Sequence, residues 1–202
     1  WEDAATNLAD ALAMQLDGGA VRIGPGTYGL TGEWRCDRGM TVLGWNGPVS
    51  TVVQRVGSAN FRLISIVHSN AVIAGLTLAG GRLPNPSYAY GANVWMNQGV
   101  LSNCIVRGGE VYRYGGAGIY LTNGLVTHCV ISNNLQTADQ SGRYAIGGAG
   151  ILIDGGVLQN SVIACNTNNG GGDSTPIGGA GVRARGGLTR NCLIRDNRTT
   201  ES

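Results

Sequence analysis

The stretch GGAGIYL, from Gly115 to Leu121, returns as GGAGILI from Gly147 and as GGAGVRA from Gly178, at offsets of 32 and 31 residues. Each copy is followed at a fixed distance by a second matching segment: NGLVTHCVISNN from Asn123, GGVLQNSVIACN from Gly155 and GGLTRNCLIRDN from Gly186. Agreement of spacing and residue type over about thirty residues marks a repeat architecture. Toward the N-terminus, GANVWMNQGVLSNCIVRGG from Gly91 aligns without a gap, IVHSNAVIAGLTLAGG from Ile66 aligns before it, and a weaker copy passes through MTVLGWNG from Met40. The repeats predict about six rungs.

Each copy holds two or three short alternating runs punctuated by Gly or Asn, which suits strands rather than helices. Stacked rungs of parallel strands place equivalent repeat positions in columns about 4.7–4.9 Å apart. One column runs Val72, Val100, Leu125, Val157, Leu188 and another Leu78, Val106, Ile131, Ile163, Ile194. Both are apolar and are expected to face inward. A third, Leu76, Cys104, Cys129, Ser161, Cys192, shares the alternation phase of Leu78 and is expected inside as well. Asn134, Asn166 and Asn197 end their runs in one column, where a side-chain amide can bond its own turn and the next rung. Gly115, Gly147 and Gly178 open the next strand, where close backbone approach or positive φ would exclude a Cβ. Both features read as architecture.

Before the rungs, AATNLADALAMQL places Leu8, Leu12 and Leu16 at helical spacing, with Thr6 or Asn7 as N-cap and Gly18-Gly19 as the stop. Residues 1–20 are therefore expected to form an amphipathic capping helix, and 21–202 a single coil domain opening with VRIGPGTY from Val21. The last repeat ends at Asn197 with no further GGAG segment. This predicts either a piece of a longer coil or an open edge that self-associates by strand addition, with a soluble monomer as the remaining reading.

The net charge of +2 rests on arginine alone, since Lys is absent, and the arginines are scattered from Arg22 to Arg198. No basic stripe tracks a phosphate backbone, so nucleic acid is not an expected partner. No apolar run reaches membrane-spanning length, so no membrane insertion is expected. The chain opens at Trp1 without a signal segment and reads as a mature or trimmed form. Five cysteines without CxxC spacing suggest buried thiols rather than a metal or redox site. Adjacent rungs bring Cys104 and Cys129 within disulfide range, but parallel side chains point the same way, which disfavours a bridge.

In its organisation the chain resembles the right-handed parallel β-helix superfamily that includes pectate-lyase-like enzymes. Its paired GGAG[IV] and [IVL]xxN signatures are similar to the repeats of chlamydial polymorphic outer-membrane proteins. The resemblance covers roughly Val21 to Asn197 and implies an all-β solenoid of about six rungs with a short N-terminal capping helix. Its enzyme branch implies cleavage of acidic polysaccharides, its surface-protein branch adhesion or display. Repeat motifs specify a fold far better than a function.

Elimination chemistry in such a coil would need an Arg or Lys base beside a calcium held by carboxylates, and hydrolysis would need paired acids. Asp154 is the one acid in the best-aligned block, in the column Asn97, Thr122, Asp154, Arg185; an exposed ion pair with Arg185 accounts for it. Asp139 and Asp173, in neighbouring loops, could share a calcium ion, although Asp-rich loops are usually turns. His128, in the column Asn103, His128, Asn160, Asn191, suits a hydrogen-bonding turn. His68 aligns with Met96, Leu121, Ile153 and Ala184 as a tolerated histidine near the core. No catalytic residue and no resident metal is assigned.

The stronger functional signal is aromatic. The column Val67, Trp95, Tyr120, Leu152, Arg183 is read as outward, beside loops carrying Tyr88, Tyr90, Tyr112, Tyr114 and Tyr144. Flat aromatic faces beside Arg and Asn donors suit sugar rings; the plainer account is that loop tyrosines pack on the strand below. A second outward stripe, Thr77, Ile105, Val130, Val162, Leu193, is too apolar for a water-facing ladder. The expected function is a non-catalytic, secreted or cell-surface module for adhesion, glycan contact or assembly. The alternatives are a polysaccharide lyase or glycosidase on an acidic polysaccharide, and a fibre-forming structural repeat.

Overall fold

The computed structural model describes residues 7–13, 16–84, 90–137, 146–170 and 178–201. The chain is a right-handed parallel β-helix: short strands wind through three faces in the first two turns, a further face is added from Arg82–Leu83 onward, and every inter-strand pairing is parallel. The rung beginning at Val100 shows the pattern, with strands Val100–Ser102, Ile105–Arg107, Glu110–Tyr112 and Ile119–Leu121 on the first to fourth faces. Among the described residues the first and second faces each stack seven strands, the third five and the fourth six. The turn beginning at Ala20–Ile23 adds one rung to the expected six, and the third face supplies a fourth strand per repeat.

A six-residue helix, Leu8–Ala13, precedes the coil and buries Leu8 and Leu12 on its core. Asn7 is the N-cap, its Oδ1 accepting the Ala9 amide at 2.9 Å. Leu16, expected to extend the buried stripe, lies beyond the helix and is 77% exposed.

Between the first and second faces the chain turns on a single left-handed residue: Gly75 (φ 70°), Asn103 (47°), His128 (52°), Asn160 (49°) or Asn191 (51°). That residue drops out of the pleat and reverses the alternation phase. The inward column of the first face is therefore Ile73, Leu101, Val126 and Leu158, all fully buried. Val72, Val100, Leu125, Val157 and Leu188, expected inside because the column is apolar, are half-buried or exposed on the outer surface. Past the corner the phase is as expected: Leu78, Val106, Ile131 and Ile163 are fully buried, and Cys104, Cys129 and Ser161 nearly so. In the last described rung Ile194 is 51% exposed and Cys192 half-buried.

A second correction concerns register on the fourth face. Trp95 pairs with Ser65, and Met96 with Ile66, rather than with Val67 and His68. The turn from this face to the first spans residues 67–71 in that rung and 97–99 in the next, so an ungapped alignment slips by two residues. His68 is half-buried in the longer turn, where its Nδ1 accepts the Asn70 amide at 3.2 Å.

The corner between the second and third faces is the most ordered polar feature. Asn134, Asn166 and Asn197 form a continuous ladder: Nδ2 of each donates to Oδ1 of the next, at 2.9 Å in both steps. Asn93, from the segment leading into Val94–Met96, joins its end by donating to Asn134 Oδ1 at 3.1 Å. The repeat glycines fit against this frame: a Cβ on Gly115 would lie 2.2 Å from the Gly147 carbonyl oxygen, and one on Gly118 2.7 Å from the Asn134 amide. All five cysteines are free thiols, with Cys165 exposed and Cys36, Cys104 and Cys129 buried. Burial pushes the Cys36 thiol up to about 11. No helix among the described residues is long and apolar enough to cross a membrane.

Candidate functional site

The outward column of the fourth face runs Arg35, Ser65, Trp95, Tyr120, Leu152, Arg183. It is not an open water-facing row, because Ser65 and Leu152 are wholly enclosed. Tyr90 and Tyr114, from the stretches between the third and fourth faces, pack over it.

Tyr120 is the centre of the cluster. Tyr90, at the end of one connecting segment, stacks on its ring with centroids 4.7 Å apart and an interplanar angle of 27°. Tyr114 from the next segment meets Tyr90 edge-on at 5.0 Å. Close backbone approach makes room: Gly91 and Gly116 have φ of 69° and 71°, and a Cβ on Gly91 would lie 3.0 Å from that of Tyr120.

The Tyr120 hydroxyl donates to Asp154 Oδ2 at 2.8 Å, and Arg185 from the following rung donates to both carboxylate oxygens, at 2.6 and 2.5 Å. This is the expected Asp154–Arg185 pair, extended by a tyrosine. Burial opposes ionisation of Asp154, but hydrogen bonds from Arg185 and Tyr120 and the charges of Arg185 and Arg183 outweigh it, so the carboxyl stays below the ordinary aspartate range. Burial and the Asp154 contact push the Tyr120 hydroxyl up to about 12. Burial likewise raises Tyr90, although the Arg185 charge works against it. The Arg185 guanidinium is raised by its bond to Asp154.

Arg183 reaches back to donate to the Ile146 carbonyl and packs over the repeat glycines; a Cβ on Gly178 would lie 2.9 Å from its Cδ. The cluster thus presents three half-buried phenol rings beside two guanidiniums and one carboxylate that accepts three hydrogen bonds.

The remaining aromatic residues are placed differently. Trp95 carries the Arg62 guanidinium 5.2 Å above its ring, and Arg62 also bonds Glu33, Tyr90 O and Gly91 O. The indole Nε1 of Trp95 and the Ser65 hydroxyl, in register with each other, are enclosed and have no hydrogen-bond partner among the described residues. Tyr112 sits on the third face with Arg113 5.2 Å from its ring. Tyr88 and Tyr144 lie outside the described residues, as do Asp139 and Asp173. Of the eight residues named for glycan contact, the structure gathers Tyr90, Tyr114, Tyr120 and Arg183. The capping of Trp95 by Arg62 escaped the sequence reading because Arg62 precedes its strand by two residues and has no counterpart in the repeat.

The apolar stripe of the second face is covered at one end only. Thr77 is enclosed and bonds the Pro48 carbonyl at 2.6 Å. Val130 and Leu193 further along are exposed.

No family model matches the chain and no curated protein matches it, and the expected resemblance to polymorphic outer-membrane proteins is not shown. Two solved structures are similar to it. One is a pectin methylesterase mutant in complex with a hexasaccharide, 12% identical over 98% of this chain and 77% of that one, with a TM-score of 0.48. Another is the pectin methylesterase from Aspergillus niger, 10% identical over 98% and 86% of the two chains, with a TM-score of 0.37. These likenesses concern the path of the chain alone.

Proposed function

We propose that the chain is a carbohydrate-contacting β-helix module, secreted or displayed at a cell surface, whose contact surface is the cluster of Tyr90, Tyr114 and Tyr120 with Arg183 and Arg185. The observation that carries this reading is the convergence of three partly exposed phenol rings from two connecting segments and one strand onto a single arginine-edged spot. Phenol rings offer apolar faces to the C–H faces of a sugar, and guanidiniums offer donors to its hydroxyls. Tyr90, Tyr114 and Arg183, the three members of the cluster that do not bond Asp154, have no catalytic pairing with it.

The geometry supports contact over catalysis. Three hydrogen bonds, two from Arg185 and one from Tyr120, stabilise the ionised Asp154 carboxylate and make it a weak base. A phenol held near 12 is no base at neutral pH. An extracellular setting is compatible with the enclosed thiols of Cys36, Cys104 and Cys129, and exposes Cys165 to oxidation.

The test is titration of the purified chain with acidic and neutral oligosaccharides, comparing wild type with Tyr90→Ala/Tyr114→Ala. Binding that weakens by about tenfold or more, with an unchanged circular dichroism spectrum, supports the reading. Equal affinity in the variant removes this surface from consideration, and the release of reducing ends, unsaturated ends or ester-derived alcohol replaces contact by catalysis.

A further inference from the structure

We propose a second carbohydrate-contact site: the groove at the corner between the second and third faces, which takes a hydroxyl-rich chain bearing carboxylate groups, laid along the axis of the coil. It uses different residues from the tyrosine cluster and shares with it only the class of ligand.

The groove has a volume of about 620 Å³ and is supplied by three consecutive rungs. Its floor is the corner itself, where Asn133, Cys165 and Asp196 all adopt left-handed backbone, with φ of 54°, 56° and 54°. The ladder asparagines that follow turn inward, so the next side chains to reach the groove belong to the third face: Thr167 and Arg198 in one row, Asn169 and Thr200 in another. A cavity of this size holds a ligand of several hundred daltons.

Among the described residues its lining is polar apart from Leu135 and Cys165 and includes no aromatic ring, so its chemistry is that of polar edges rather than stacking. The Thr200 hydroxyl donates to Asn169 Oδ1 at 3.2 Å, which leaves the Asn169 amide hydrogens as donors. The Asn133 amide donates to Ser132 Oγ at 3.4 Å and keeps its carbonyl oxygen as an acceptor. Sugar hydroxyls donate and accept at once and match such a mixed set. Asp196 forms an exposed ion pair with its neighbour Arg195, whereas the exposed Arg198 guanidinium has no hydrogen bond or ion pair among the described residues. A guanidinium in that state suits a carboxylate, which it can hold through two parallel hydrogen bonds. Because rungs repeat at about 4.8 Å, a chain running along the axis passes Leu135, Thr167 and Arg198 at successive steps, an apolar contact followed by a hydroxyl and a guanidinium.

Cys165 supplies the readout. It is exposed in the groove floor, while Cys192 is half-buried on another side of the coil and the other three thiols are buried. The alkylation rates of Cys165 and Cys192 by N-ethylmaleimide are followed by mass spectrometry during titration with a hyaluronan tetrasaccharide and, separately, with neutral maltotetraose. Wild type is compared with Tyr90→Ala/Tyr114→Ala, Arg198→Ala and Asn169→Ala, each checked by circular dichroism.

The expected result is that the hyaluronan tetrasaccharide slows alkylation of Cys165 but not of Cys192, equally in wild type and in the tyrosine variant. Arg198→Ala should raise the half-protection concentration by about tenfold, and Asn169→Ala by a smaller factor. Protection of Cys165 that persists when the tyrosine variant has lost its own binding counts against neither site. No protection by either probe, or an Arg198→Ala midpoint within about twofold of wild type, overturns the groove. Equal protection by maltotetraose overturns the carboxylate preference.

Discussion

Asn134 donates its side-chain amide to Oδ1 of Asn166 at 2.9 Å, one rung to the next, with both residues enclosed in the corner of the coil. The same Asn134 amide donates to Val106 O at 3.1 Å, and its Oδ1 accepts from the Gly109 amide at 2.9 Å and from Asn93 Nδ2 at 3.1 Å. All four of its hydrogen-bonding positions are therefore used without water. Asn134→Ala leaves several of these partners buried and unsatisfied, and is expected to cost about 3–5 kcal/mol. Equilibrium urea unfolding checks this. Asn134→Asp, which cannot donate when ionised, should regain part of the loss only in acid.

The phase reversal at the left-handed corner gives a paired prediction. Leu101 is fully buried and Val100 beside it half-buried on the outer surface. Leu101→Ala should destabilise by about 2–5 kcal/mol, and Val100→Ala by less than about 1 kcal/mol. Equal costs in thermal or urea unfolding would contradict the phase described here.

Gly115 has no room for a methyl group, because its Cβ would lie 2.2 Å from the backbone oxygen of Gly147. Backbone cannot yield as a flexible side chain can. Gly115→Ala is expected to cost about 2–3 kcal/mol, read from the midpoint of a urea transition.

Titration of Tyr120 and Asp154 should be visible from opposite ends of the pH scale. Burial and the Asp154 contact raise Tyr120 from 10.0 to about 12, so the neutral phenol favours the fold below pH 10 and this contribution fades as pH climbs toward 12. Ultraviolet difference titration should show a tyrosine ionising near pH 12 that disappears in Tyr120→Phe. Asp154 moves the other way: its carboxyl is lowered from 3.8, so its contribution is complete above that value and is lost as pH falls through the lower folded value. The stability gap between wild type and Asp154→Asn should narrow in that acid window and stay flat above it.

Thiol accessibility offers a direct check on the columns. Under native conditions Ellman's reagent should titrate Cys165 first and Cys192 more slowly, with Cys36, Cys104 and Cys129 reacting only after denaturation. Fast native reaction of Cys104 or Cys129 would show that the third column faces outward.

Much of the coil was legible in the residues. The offsets of the GGAG segments, the asparagine column and the column from Leu78 to Ile163 all have the positions expected of them, since each recurs at the repeat period. Three features were not legible. The two-residue difference between turns 67–71 and 97–99 moved Ser65, not Val67, beside Trp95. The left-handed corner moved Ile73 and Leu101 inside in place of Val72 and Val100. Asn93 joined the ladder from a different face, where no repeat position announces it.

The aromatic site divides in the same way. Tyr90, Tyr114 and Tyr120 could be grouped from their loops and column, and Arg185 could be paired with Asp154 one rung away. Which rings meet could not be read, because Tyr90 and Tyr114 sit on connecting segments whose paths are not set by the repeat.

By itself the amino-acid sequence determined that this protein stacks into a parallel coil, because equivalent side chains recur at one period and each rung buries its apolar residues only against its neighbours. The tertiary structure alone decided which columns face the core, how Tyr90 stacks on Tyr120 over the Asp154–Arg185 pair, and where the corner opens into a groove. Those outcomes depend on single left-handed residues and on turn lengths, which change the phase and direction of the chain without changing the repeat that the sequence displays.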